Sequence, residues 1–81
     1  MDNGGMGDGA SDRRPILTKR ELQVLAALAR FGNVSDIADS LSISPSTVET
    51  HLSHIRAKSG LHHAAQIVAW GYDNGFLSAP D

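Results

Sequence analysis

Three hydroxyl side chains crowd into Ser44-Pro45-Ser46-Thr47, at the start of a stretch that reads as a helix. Hydroxyls and backbone N–H groups at a helix N-terminus, aided by the helix dipole, suit an anionic oxygen such as a phosphate. The bland alternative is a Ser44 cap with solvated neighbours, the commoner outcome for an isolated helix start. Histidine offers a second chemistry. His51 and His54 are spaced i, i+3 on one helix, and His62-His63 are adjacent. A zinc site needs three or four converging ligands, and the chain has no cysteine to help, so no metal and no cofactor are expected. His51 is expected to pack at the edge of a helix interface and His54 to face phosphate. Catalytic chemistry is missing. No nucleophile–base pair, phosphate loop or paired carboxylate set is visible, so an enzyme is not expected.

The element that must position the hydroxyls runs from Ser44 to Gly60. Ser44 can cap it, Pro45 suits its first position, and Gly60 is a stop. Val48, Leu52, Ile55 and Ser59 make one narrow stripe at helical spacing. Thr18 and Glu21 have capping-box spacing and open a first helix ending near Arg30 to Gly32. Its expected apolar face is Leu22, Leu25, Ala26, Leu28 and Ala29, with Val24 on the flank. Asn33, with Asp36 three residues on, caps a short second helix whose apolar face is Ile37, Ala38 and Leu41. A fourth helix is expected from His63 to Asp73, ended by Asn74-Gly75, with Phe76 and Leu77 folding back onto the domain. The expected fold is all-α: a four-helix, bundle-like domain over residues 15–79 behind a flexible tail or linker over 1–14.

The totals bound the rest. The chain has 81 residues, enough for one small domain with a modest core. Residues 1–14 contain four glycines and three aspartates and no aromatic residue, too little to offset the entropy of ordering. No apolar run reaches membrane-spanning length and no signal-peptide pattern opens the chain, so the default compartment is the cytosol. Formal net charge is −2, split as −1 in residues 1–14 and −1 in the remainder. A nearly neutral domain predicts a weak phosphate term for a monomer on nucleic acid.

A short helix, a tight turn at Ser42-Ile43 and a capped second helix is helix-turn-helix grammar. Ala38 is small where the two helices must approach, Ser42 sits in the turn, and Val48 locks the second helix onto the first. Such a rigid angle pushes the N-terminal half of the second helix into a major groove while the first lies across the backbone. In that setting Ser44, Ser46 and Thr47 read as phosphate contacts rather than idle caps.

The run from Leu17 to Leu61 resembles the LuxR/NarL/FixJ-type (GerE-like) DNA-binding domain of bacterial transcription regulators. Leu17-Thr18, Arg20-Glu21, Val24-Leu25, Ile37-Ala38, Leu41, Ile43-Ser44, Thr47-Val48, His51, Ile55, Lys58 and Gly60 stand in that family's order and spacing without a gap. The resemblance implies four helices, with the third (about 44–59) reading the major groove and the fourth often pairing two copies. It implies backbone contacts from Asn33 and its neighbour Ser35, and from Ser46, Thr47 and Lys58. It implies base reading at Glu49, Thr50 and Ser53. Expected partners are double-stranded DNA, a second copy of the chain and RNA polymerase, on the nucleoid. The chain departs at Glu49 and Ser53, where members often carry lysine or arginine, and at Ser59, usually larger and apolar. Glu49 can accept from a cytosine amino group, and the Thr50 methyl can pack on a thymine methyl.

The fourth helix is apolar on most sides, more than one core can take, so Ile67 and Trp70 are expected at a dimer contact. An alternative function is a helix-turn-helix scaffold turned to protein contacts, as the acidic balance and Glu49 permit. A sigma-factor-like promoter-reading module shares the topology but calls for a more basic third helix.

Overall fold

A computed structural model describes residues 16–78 and holds four helices: α1 (Lys19–Phe31), α2 (Val34–Leu41), α3 (Pro45–Ser59) and α4 (Ala64–Asp73). The tail expected over 1–14 lies outside the described residues. The helix starts are built as the local spacing predicts. Thr18 Oγ1 accepts from the Glu21 N–H at 3.1 Å, and Glu21 Oε1 accepts from the Thr18 N–H at 3.0 Å, a complete capping box. Asn33 Oδ1 accepts from the Asp36 N–H, while Asn33 Nδ2 donates to the Asp36 carboxylate, both at 2.9 Å. Here the reciprocal bond runs between side chains. Ser44 Oγ accepts from the Thr47 N–H at 3.2 Å. Only α4 starts without a side-chain cap.

Helices α1 and α3 each pack against the other three helices, so the two together form the centre of the fold. The buried apolar face of α1 is Val24, Leu25, Ala27 and Leu28. This corrects the expected face: Ala26 and Ala29 are exposed, Leu22 is half-buried, and Val24 is fully enclosed. The neighbours of α1 select Ala27 for burial and leave Ala26 and Ala29 outside, a phase that the apolar pattern alone does not report. Val48, Leu52 and Ile55 of α3, Ile37 and Ala38 of α2, and Ile67 of α4 close the core. Burying each of the larger aliphatic side chains stabilises the fold by roughly 1.5–3 kcal/mol.

Helix α4 carries the second correction. Ile67 is 1 % exposed and belongs to the domain's own core, so it cannot meet a second copy while the domain stays folded. Trp70 is half-buried, with its ring 5.3 Å from that of Phe76. Phe76 and Leu77 do fold back, their N–H groups donating to the Gly71 carbonyl at 2.8 and 3.1 Å. Gly71 is buried there, and a Cβ on it would stand 2.9 Å from Leu77 Cδ1 and 3.0 Å from Leu25 Cδ2. The outward stripe of α4 is Ala65, Ala69 and Tyr72.

The α2–α3 turn fixes the helix-turn-helix angle. The Ser42 N–H donates to the Asp39 carbonyl at 3.3 Å and the Ile43 N–H to the Ala38 carbonyl at 3.1 Å, the paired bonds of a Schellman closure. The closure puts Ser42 at φ 58°, the one non-glycine residue with positive φ among the described residues. A side chain in that conformation costs on the order of 1 kcal/mol, against a smaller rise in unfolded-state entropy on replacement. Ser42→Gly is therefore expected to stabilise the domain by about 0.5 kcal/mol, raising its thermal midpoint by roughly 2–4 °C. Thermal unfolding by circular dichroism checks this, and an unchanged or lowered midpoint contradicts it.

Candidate nucleic-acid interface

Helix α3 has three sides with different chemistry. One is spent on the core through Val48, Leu52 and Ile55. The opposite side shows Ser46, Thr50, Ser53 and Ala57 at helical spacing, all exposed. Glu49 and Arg56 lie on one flank of that surface, and Thr47, His51, His54 and Lys58 on the other.

The hydroxyls at the start of α3 come together. Ser44 Oγ lies 3.1 Å from Ser46 Oγ and 2.9 Å from Thr47 Oγ1. The Thr50 hydroxyl donates to the Ser46 carbonyl at 3.1 Å, which uses its proton and leaves its methyl group for apolar contact. Backbone donors are scarcer than the sequence suggests. Pro45 has no N–H, the Thr47 N–H is taken by Ser44 Oγ, and the Val48 N–H donates to the Ser44 carbonyl at 3.1 Å. That leaves the Ser46 N–H as the first-turn donor available to an anion. Asn33 and Ser35 are exposed at the start of α2, and the Asn33 amide is engaged with Asp36.

Glu49 is exposed and Arg56 Nη1 stands 4.0 Å from its Oε1, a long and solvated pairing worth little. Two expected DNA contacts are turned elsewhere. Lys58 Nζ donates to Glu21 Oε1 at 2.6 Å and to the Ile16 carbonyl at 2.8 Å. It ties α3 to α1 and to the segment before α1 instead of standing free for a phosphate. His54 Nδ1 lies 3.4 Å from Glu21 Oε2, so it too faces α1. His51 is half-buried at the helix interface, as its position suggests. Its Nδ1 is buried without a hydrogen-bond partner.

Glu21 is the residue whose role the sequence conceals. It is 3 % exposed and stands under the flank of α3. Burial pushes its carboxyl pKa up. The Lys58 hydrogen bond, the Thr18 N–H and the charges of Lys58 and His54 together outweigh that and hold it below its ordinary 4.5. Glu21, His51 and His54 place three potential ligand atoms within 4.8 Å of one another. The convergence that the histidine spacing alone did not reach is supplied by this glutamate.

An all-helical domain with a rigid turn and an exposed, hydroxyl-rich second helix defines the helix-turn-helix class. Residues 15–70 match GerE, the family described as "Bacterial regulatory proteins, luxR family". The chain is also similar to "Oxygen regulatory protein NreC" of Staphylococcus aureus (strain bovine RF122 / ET3-1), 43 % identical over 68 residues, which cover 83 % of this chain and 31 % of that protein. The protein of the same name from Staphylococcus epidermidis (strain ATCC 12228 / FDA PCI 1200) is 42 % identical over 69 residues, 84 % of this chain and 31 % of that one. The chain thus spans about a third of the length of these relatives. It belongs to the luxR family of bacterial regulatory proteins, a DNA-binding family of transcription regulation and not an enzymatic one. Among the described residues, no helix is long and apolar enough to cross a membrane.

The Glu21–Lys58 pair generates a test. Lys58→Met leaves a buried carboxylate short of its main partner and is expected to cost about 2–3 kcal/mol, below the range for a fully enclosed pair because Lys58 is partly solvated. Glu21 titrates lower in the folded than in the unfolded state. Its contribution is therefore present above about 4.5 and lost as pH falls through the folded value. Acid unfolding of Lys58→Met followed by circular dichroism should begin at higher pH than in the parent, and coincident curves contradict the account.

Proposed function

We propose that the chain is the sequence-specific DNA-binding module of a bacterial transcription regulator, with the N-terminal half of α3 in the major groove. The observation that carries the reading is the exposed Ser46, Thr47, Glu49, Thr50 and Ser53 surface on a helix held by its other side. Ser44, Ser46, Thr47, Asn33 and Ser35 would meet phosphates. Glu49, Thr50 and Ser53 would meet base edges, Glu49 accepting from a cytosine amino group and the Thr50 methyl packing on thymine. Lys58 and His54 act through Glu21, by fixing the pitch of α3, and not on the DNA.

We place the domain over residues 15–79, in the cytoplasm on the nucleoid. A homodimer through α4 fits the weak cationic surface, since two copies on a two-fold site with half-sites about one turn apart double the contacts. The contact assigned to Ile67 and Trp70 moves to the outward stripe of Ala65, Ala69 and Tyr72, whose small residues let two helices approach. RNA polymerase is the protein partner such a bound dimer would address.

Fluorescence anisotropy on duplex DNA tests the reading. Thr47→Ala is expected to weaken binding several-fold on every sequence, in line with the loss of about 1 kcal/mol from a phosphate hydrogen bond. Glu49→Lys is expected to tighten non-specific binding, change base preference and steepen the salt dependence by about one counterion per protomer. If Glu49→Lys alters neither affinity nor preference, α3 is not the reading helix and the scaffold reading takes its place.

A further inference from the structure

We propose that Glu21, His51 and His54 form a divalent transition-metal site of the zinc class, which clips α3 to α1 beside the DNA-reading surface. The donor set is two imidazoles and a carboxylate from two helices, the composition of a three-ligand zinc site with a fourth position left to water. Geometry supports it. Tetrahedral ligands about 2.1 Å from zinc stand roughly 3.4 Å from one another. His54 Nδ1 and Glu21 Oε2 are already 3.4 Å apart. One potential ligand atom from each of Glu21, His51 and His54 lies within 4.8 Å of the other two, so binding would draw the His51 ring closer.

Two observations point to a ligand beyond the proximity itself. The His51 ring, one of whose nitrogens belongs to the cluster, carries at Nδ1 the one buried side-chain nitrogen or oxygen without a hydrogen-bond partner among the described residues. A buried polar atom left unpaired calls for an explanation, and an ion is one. Glu21 also has a free lone-pair face: Lys58 and the Thr18 N–H both use Oε1, leaving Oε2 turned to His54. The neighbouring Lys58 ammonium opposes a cation, so affinity should fall below that of sites with an unpaired carboxylate. The exposed flank of His54 provides the entry path and the place for water. This inference concerns the α1–α3 joint and does not rest on DNA binding.

The test uses the whole chain, stripped with a chelator and followed by thermal unfolding in zinc chloride or magnesium chloride. Zinc in large excess over its dissociation constant is expected to raise the midpoint by at least about 4 °C, while magnesium leaves it unchanged. His54 is exposed, so His54→Asn should fold normally and lose the zinc response. The double variant His62→Asn/His63→Asn, which removes the other imidazoles, should keep it. Cobalt should give the intense visible bands of a four-coordinate ion in the parent and not in His54→Asn. No zinc response in the parent overturns the proposal. So does a response that survives His54→Asn, or one that disappears with His62 and His63.

Discussion

The rest of the structure leans on one carboxylate. Glu21 closes the cap of α1 with one oxygen, and the same oxygen accepts from Lys58 of α3. A carboxylate buried this deeply is tolerable only while it is fully partnered. The pair therefore fixes the rotation and pitch of α3 against α1, because sliding either helix would strand the carboxylate. Lys58 also reaches the Ile16 carbonyl, so the segment entering α1 is held by the same bond network. The angle of α3 is set independently at its other end by the Schellman turn at Ser42 and by Val48 in the core. A helix held at both ends on its inner side leaves its outer side free to present chemistry.

What it presents is polar and nearly uncharged. With Lys58 committed inward and Arg56 beside Glu49, the outer side of α3 offers hydroxyls, a methyl and one carboxylate. A binder of this composition gains little from counterion release and must rely on hydrogen bonds and fit. That shifts the balance from general attraction toward discrimination, since each unsatisfied contact on a wrong sequence is not masked by a large phosphate term. It also makes a second copy valuable, which is the physical case for pairing through α4.

The sequence shows the local features of this fold and hides the distant ones. Thr18, Asn33 and Ser44 are legible as caps because a cap is decided within three residues. The turn is legible because Ala38, Ser42 and Val48 must keep their spacing for two helices to pack. The partnership of Glu21 with Lys58 spans 37 residues and depends on how α1 and α3 meet, which no periodicity reports. The phase of α1 is misread because alanines score as apolar on either side, and only contact with three neighbours selects Ala27 over Ala26 and Ala29. Ile67 reads as surplus on an over-apolar helix until the core is seen to need it. The spacing of His51 and His54 is visible, but the glutamate that joins them belongs to another helix.

On the proposed function, the outer side of α3 reads base pairs as one half of a two-fold arrangement. Selection of bound sequences from random duplex DNA at low salt tests it most directly. Enrichment of an inverted repeat with half-sites about one helical turn apart is the expected outcome. A folded protein that enriches no sequence would contradict it.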